Sequence, residues 1–217
     1  VALAIFDLDN TLINGDSDHS WGEFLLARKL VDEQQYRRQN DQFYQDYQRA
    51  CLDIDAYLRF ALEPLTQHSP TELAQWQQDF MRECIEPIML PKAQQLLAKH
   101  RERGDYLLII TATNGFITRP IAKRLGVDEI LATDPELKNG RYTGRYLGTP
   151  CFGAGKVTNL NVWLKQHNKN LEDSYFYSDS INDLPLLEQV SHPVAVNPDE
   201  RLAAIARERH WPIMDLH

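Results

Sequence analysis

Apolar residues fall into short unbroken runs at the start of the chain and again beyond residue 90, with a long polar-aromatic stretch between them. Val1 to Phe6 is apolar throughout, the pattern of a parallel-sheet strand buried on both faces. Similar runs at 106–110 (YLLII), 129–133 (EILAT), 174–179 (SYFYSD) and 193–198 (PVAVNP) predict further strands. Helical patterns alternate with them: from about Lys92 to Gly104, over 116–126 with Pro120 disturbing the first turns, over 155–167, and from 181 onward. Asn139-Gly140 inside 137–146 predicts a hairpin. From 17 to 87 the pattern is helical. Tyr36, Asn40, Phe43, Tyr44, Tyr47 and Cys51 share one face, further helices are expected at 53–63 and 70–84, and the many glutamines read as solvated surface.

Strand alternating with helix predicts a doubly wound α/β parallel sheet. The expected division is a core of 1–13 and 91–217, with a small hairpin insertion near 136–148, and a helical unit over 14–90. At 217 residues with 43% hydrophobic content, the chain can bury a sizeable core. A net charge of −8 argues against nucleic acid as a partner, since phosphate-backbone binding needs clustered Lys and Arg. Three well-separated cysteines without CxxC spacing, no apolar run of membrane-spanning length and no signal-peptide pattern predict a cytoplasmic protein that does not associate with membranes. The chain opens on Val, so an initiator Met is expected to have been removed or left out, with a longer precursor as the alternative. Seven histidines are scattered without metal-ligand spacing.

Right-handed crossovers place strand carboxyl ends along one edge. Asp7, Thr111 and Asp179 occupy such ends, Asp9 follows Asp7 by two residues, Asp183 lies one turn beyond Asp179, and Lys156 opens a helix. Two acids as close as Asp7 and Asp9 disfavour each other's ionised form. Carboxylates gathered this way call for a cation, and hard oxygen ligands favour Mg²⁺, which keeps room for waters and a substrate phosphate. Any of these residues alone could be a helix cap or turn former; their order along the chain favours chemistry. The stretch DLDNTL lacks the glycine of a calcium loop, and GAGKV lacks the spacing and hydroxyl of a nucleotide-binding P-loop.

FDLDNTL with Asp7 and Asp9, IITAT with Thr111, GAGKV with Lys156, and YSDSINDLP with Asp179, Asn182 and Asp183 resemble, in order, the four motifs of the haloacid dehalogenase superfamily of phosphohydrolases. The insertion after the first motif looks like a C1-type helical cap, as in subfamily IB, the group of phosphoserine phosphatase and histidinol-phosphatase-like enzymes. The resemblance implies Asp7 as nucleophile forming an aspartyl-phosphate and Asp9 as general acid and then base. It implies Mg²⁺ held by the carboxylates of Asp7 and Asp179 and the backbone carbonyl of Asp9. Thr111, Lys156 and Asn182 would hold phosphate, and Asp183 would support the metal or Lys156.

The cap is expected to select the substrate, a small phosphate ester. Asp16 falls where phosphoserine phosphatases carry a glutamate that meets the substrate amine, and Asp18 and Trp21 add an acid and an aromatic suited to a cationic or imidazole-bearing ligand. In the competing arrangement Asp16 or Asp18 caps the next helix and Trp21 is packing. Phosphoserine would need an arginine, with Arg37, Arg38, Arg49 and Arg59 as candidates; an aromatic-rich cap favours histidinol phosphate or a similar amino-alcohol phosphate. Phosphotransfer to another alcohol through the same intermediate is an alternative. A non-enzymatic binding module would favour loss of Asp9 or Lys156, and both are present.

Overall fold

The computed structural model describes residues 2–217; Val1, the first residue of the expected opening strand, lies outside the described residues. After β1 (Leu3–Phe6) come α1 (Ser17–Ala27), α2 (Glu33–Gln48), α3 (Ile54–Thr66) and α4 (Pro70–Phe80). A π-helical turn, Met81–Ile85, and a 3₁₀ turn, Glu86–Ile88, lead from α4 to α5 (Pro91–Glu102). The chain continues through β2 (Tyr106–Ile110), α6 (Gly115–Leu125), β3 (Glu129–Leu131), the hairpin β4 (Asp134–Lys138) and β5 (Arg141–Leu147), α7 (Ala154–His167) and β6 (Tyr175–Ser178). It closes with α8 (Leu184–Leu187), β7 (His192–Val196), α9 (Glu200–Glu208) and β8 (Ile213–Met214).

Six strands form one parallel sheet in the order β3-β2-β1-β6-β7-β8. Side chains alternate across it, as a strand's period of two requires. Ala4, Phe6, Leu107 and Ile109 enter the core under α5, α6 and the inserted helices, while Leu3, Ile5, Leu108 and Ile110 pack against Leu160, Trp163 and Leu186 on the other face. Burial on both faces explains why these strands read as continuous apolar runs. The strand order reverses beside β1, between β2 and β6, and ligands bind at such a switch point, outside the carboxyl ends of the strands.

Each inserted helix begins with a polar cap that accepts otherwise orphaned N–H groups. Asp16, Asp32 and Asp53 start α1, α2 and α3, and a reciprocal Ser69–Glu72 box starts α4. Pro120 lies inside α6, where it cannot donate to the Phe116 carbonyl; Gln77 Nε2 of α4 donates to that oxygen instead, at 2.6 Å. The two passages between β1 and α5 run antiparallel, with Ile13 bridged to Met89 and Asn14 N donating to Ile88 O at 2.8 Å. The Asn139-Gly140 turn has both residues at positive φ, as a two-residue hairpin needs. Tyr146 of that hairpin packs on Tyr57, Leu58 and Ala61, and its hydroxyl donates to Asp55.

Some expectations shift. α3 runs to Thr66, and the helix expected over 70–84 changes to a π turn after Phe80. Cys51 lies beyond the end of α2 and is exposed. The hairpin begins two residues earlier than expected, at Asp134. α9 and β8 were not anticipated at all.

Candidate active site

The opening acids sit where β1 ends. Asp7 N donates to Tyr177 O at 2.9 Å, continuing the β1–β6 ladder and fixing the direction of the Asp7 side chain. Leu8, Leu12 and Ile13 are fully buried, and Leu12 N donates to Leu8 O at 2.9 Å, so the loop after β1 is an anchored turn.

Lys156, in the first turn of α7, is 1% exposed and lies between two carboxylates: Asp7 Oδ1 at 2.9 Å and Asp183 Oδ1 at 2.7 Å. Burial works against its charge, but Asp183 and Asp7 more than offset this and hold the ammonium above the ordinary lysine range. Asp7 Oδ2 is buried and has no hydrogen-bond partner among the described residues. Asp183 is fixed from behind by Ser178 Oγ at 2.7 Å. Asp179, at the end of β6, accepts from Thr11 Oγ1 at 3.2 Å. Burial pushes Asp7 up to about 7, with Asp183 and Asp9 adding to the rise, and pushes Asp179 well above the usual carboxylate range, with Asp7 and Asp183 adding to it.

Asp9 points toward the start of α1, where its Oδ1 accepts from Ser17 N at 2.6 Å and its Oδ2 from Thr113 Oγ1 at 2.7 Å. These donors favour the ionised form, yet burial, with Asp16 nearby, raises Asp9 to about 7. Such a group can both release and accept a proton near neutrality.

A cavity opens over Asp7 and Asp9, walled by the inserted helices through Asp16, Asp18, Asn40, Tyr44 and Tyr57. The shared α2 face is therefore partly a pocket wall, through Asn40, Phe43, Tyr44 and Tyr47. Thr111 is fully buried and its hydroxyl accepts from Thr113 N at 3.2 Å, whereas Thr113 lines the cavity. The repeat Thr-Ala-Thr places both hydroxyls near the site, and the second was overlooked. Asn182 Nδ2 donates to Tyr47 O of α2 at 3.0 Å, so its amide faces the inserted helices. Asp16 caps α1, accepting from the N–H groups of Asp18 and His19 at 2.9 and 2.8 Å.

Trp21 requires a correction. It is 2% exposed and packs against Phe24, Phe80 and Phe116 with ring centroids 5.2–5.4 Å apart, away from the cavity lining. A large aromatic gains most by complete burial, which here outweighs a place beside the acids. Arg37, Arg38, Arg49 and Arg59 are all exposed and none lines the cavity. The histidines also hold a surprise: His19, Glu23 and Asp41 bring one ligand-type atom each within 4.8 Å of one another. Glu23 is also paired with Arg37 at 3.1 Å, which balances that cluster as an ion-pair network.

Gly155 explains part of the GAGKV motif. A Cβ there would stand 2.0 Å from the Pro150 carbonyl oxygen, so only glycine lets α7 start this close to the preceding loop. Gly155→Ala is expected to cost about 1–3 kcal/mol through overpacking. Shifting the adjacent Lys156 is expected to lower turnover about 10²-fold. Thermal melts and steady-state kinetics of this variant check both effects.

The oxygen set fits a hard divalent cation: an orphaned buried oxygen on Asp7, a lightly bonded Asp179, and acids that outnumber the single buried lysine.

The comparisons agree with this geometry. Residues 4–188 match the family described as haloacid dehalogenase-like hydrolase. The chain is 49% identical to a histidinol-phosphatase of Neisseria meningitidis over 98% of both chains. It is 34% identical to the phosphoserine phosphatase SerB1 of Mycobacterium tuberculosis, over 99% of this chain and 70% of that protein. A crystal structure of a protein of unknown function from Bordetella pertussis superposes with a TM-score of 0.93 at 45% identity, covering 100% of this chain and 99% of the other. A six-stranded parallel sheet with its acids at the switch point, and this family match over most of its length, establish that the chain belongs to the haloacid dehalogenase-like hydrolases and is a phosphatase of that family.

Proposed function

We propose that this chain is a Mg²⁺-dependent phosphomonoesterase that works through an aspartyl-phosphate, with histidinol phosphate as its substrate and helices of the 14–90 segment acting as a cap over the site. The observation that carries the proposal is Asp7, buried at the end of β1 with one oxygen on Lys156 and the other unpartnered. A carboxylate held this way keeps one oxygen free of hydrogen bonds in a residue that lines the cavity.

In the first step Asp7 attacks phosphorus; the new P–O bond forms as the ester P–O bond breaks, and Asp9 gives its proton to the departing alkoxide. In the second, Asp9 takes a proton from a water that attacks the same phosphorus, releasing inorganic phosphate and restoring Asp7. Phosphoryl transfer depends on positioning and charge stabilisation more than on covalent variety. Lys156 neutralises charge beside Asp7, and Asp183, braced by Ser178, keeps Lys156 in place. Thr113 and Ser17 N hold Asp9 for both proton transfers. The carboxylates of Asp7 and Asp179 and the backbone carbonyl of Asp9 would hold Mg²⁺, whose chemistry would be to offset repulsion between the carboxylate and the phosphate dianion.

Histidinol phosphate is favoured by the acidic and aromatic cavity wall, by the outward position of the four candidate arginines, and by the full-length histidinol-phosphatase relative. Phosphoserine is the second reading, supported by SerB1. Unpaired cysteines, and the lack among the described residues of a helix able to cross a membrane, are consistent with the cytoplasmic placement.

Phosphate release from a panel of esters, with added Mg²⁺ and after chelation, tests the proposal. Chelation is expected to lower turnover by at least about 10²-fold, with recovery on Mg²⁺ addition. Undiminished turnover after chelation would remove the metal from the scheme. Added acceptor alcohols separate hydrolysis from transfer: a phosphorylated acceptor in place of inorganic phosphate would make the enzyme a phosphotransferase.

A further inference from the structure

The cavity wall facing the catalytic acids contains two carboxylates that are not equivalent. One Asp16 oxygen accepts two backbone N–H groups and so serves the start of α1. Asp18 has no such duty. Its carboxylate faces the hydroxyl of Tyr57, which is itself buried, and Tyr36 is also near. No lysine or arginine is among the residues lining the cavity. His19 lies on the same wall, but its Nε2 is 3.1 Å from Asp41, outside the lining. Burial raises Asp16 and Asp18 to about 6, which still leaves both mostly ionised at neutral pH.

An ionised carboxylate fixed on the wall of an aromatic pocket, without a protein cation opposite, is complementary to a ligand that supplies positive charge itself. Phe43, Tyr44 and Tyr57 offer flat apolar surface around that point. The same wall repels a negative group. An ester carrying a carboxylate next to its amine would bring that carboxylate toward Asp16 and Asp18 with no arginine to receive it.

Resting on the phosphatase reading above, we propose that Asp18, oriented by Tyr57, is a specificity-determining residue: it receives the cationic nitrogen of the leaving alcohol, and the wall it belongs to excludes esters that bear an α-carboxylate. Specificity then comes from repulsion as well as attraction.

O-phosphoethanolamine and O-phosphoserine differ by a single carboxylate and make the test direct, with p-nitrophenyl phosphate as an ester that carries neither group. For the wild-type enzyme with Mg²⁺, kcat/KM is expected to favour phosphoethanolamine over phosphoserine by at least about tenfold. In Asp18→Asn that preference is expected to shrink about tenfold, chiefly through a higher KM for phosphoethanolamine. Tyr57→Phe, which keeps the ring and removes the hydroxyl, is expected to move the ratio the same way by less. A ratio between two substrates of one preparation does not depend on how much of a variant is folded. A wild-type preference for phosphoserine, or an unaltered ratio in Asp18→Asn, would overturn the inference while p-nitrophenyl phosphate turnover leaves the phosphatase reading standing. Failure of the wild-type enzyme on these three esters and on histidinol phosphate as well would bring down that reading, and this inference with it.

Discussion

Asp7→Asn is expected to lower phosphate release by about 10⁴-fold or more, because an amide cannot form the proposed covalent phosphoryl intermediate. The fold is expected to survive. The substitution is nearly isosteric, and Lys156 keeps its 2.7 Å partner Asp183. Stability should move in a direction that a structural role would not give. Burial raises Asp7 to about 7, against about 3.9 for an unfolded aspartate. Between those values the folded chain holds more protons than the unfolded one, so this group's contribution falls as pH rises through about 7. In metal-free buffer at pH 8, Asp7→Asn is therefore expected to melt no lower than the wild type, and the difference should shrink toward pH 4. Added Mg²⁺ should reverse the order, since binding to the folded state stabilises it and the variant lacks one of the proposed ligands. Calorimetric melts with and without Mg²⁺, beside the activity assay, check all three statements. A variant that releases phosphate at the wild-type rate would end the role of Asp7 as nucleophile.

The wild type thus keeps a destabilising acid where the proposed chemistry needs one, and that acid marked the candidate site in the sequence. A strand buried on both faces tolerates a charged residue only at its end, so the boundaries Phe6/Asp7 and Ser178/Asp179 announced both the sheet and its working edge. Lys156 was marked by the glycine before it, which the Pro150 carbonyl makes obligatory. What stayed hidden depended on distant contacts. Nothing local tells whether the acceptor of the Asn182 amide is a ligand or the Tyr47 carbonyl 135 positions away in the chain. Trp21 beside acids looks like a binding residue until Phe80 and Phe116 arrive from elsewhere to enclose it. α9 is the exception: Asp199 as a cap followed by Leu202, Ala203 and Ala206 on one inward face is a clear local mark, and this helix was open to reading from the sequence. β8 has only two residues, too few for any periodicity, and owes its existence to pairing with β7.

Lys156→Met should act on stability in the opposite direction to Asp7→Asn. The ammonium is the single cation between Asp7 and Asp183, all three being nearly inaccessible. Removing one member of a buried ion cluster leaves charge without compensation, a loss of about 3–5 kcal/mol. For a chain of this length that amounts to a fall in melting temperature of about 10 °C or more. Turnover should drop about 10³-fold, the scale seen when a charge-stabilising donor is taken from a transition state. A second change separates the causes. In Lys156→Met/Asp183→Asn one stranded charge has gone, so part of the melting temperature should return, whereas turnover should not, because the cation beside the transferring phosphate is still missing. Mg²⁺ should also stabilise Lys156→Met more than the wild type, since it becomes the main counter-charge to Asp7. If the double variant melts below the single one even with metal present, Lys156 is held by packing, and the charge argument for this cradle fails.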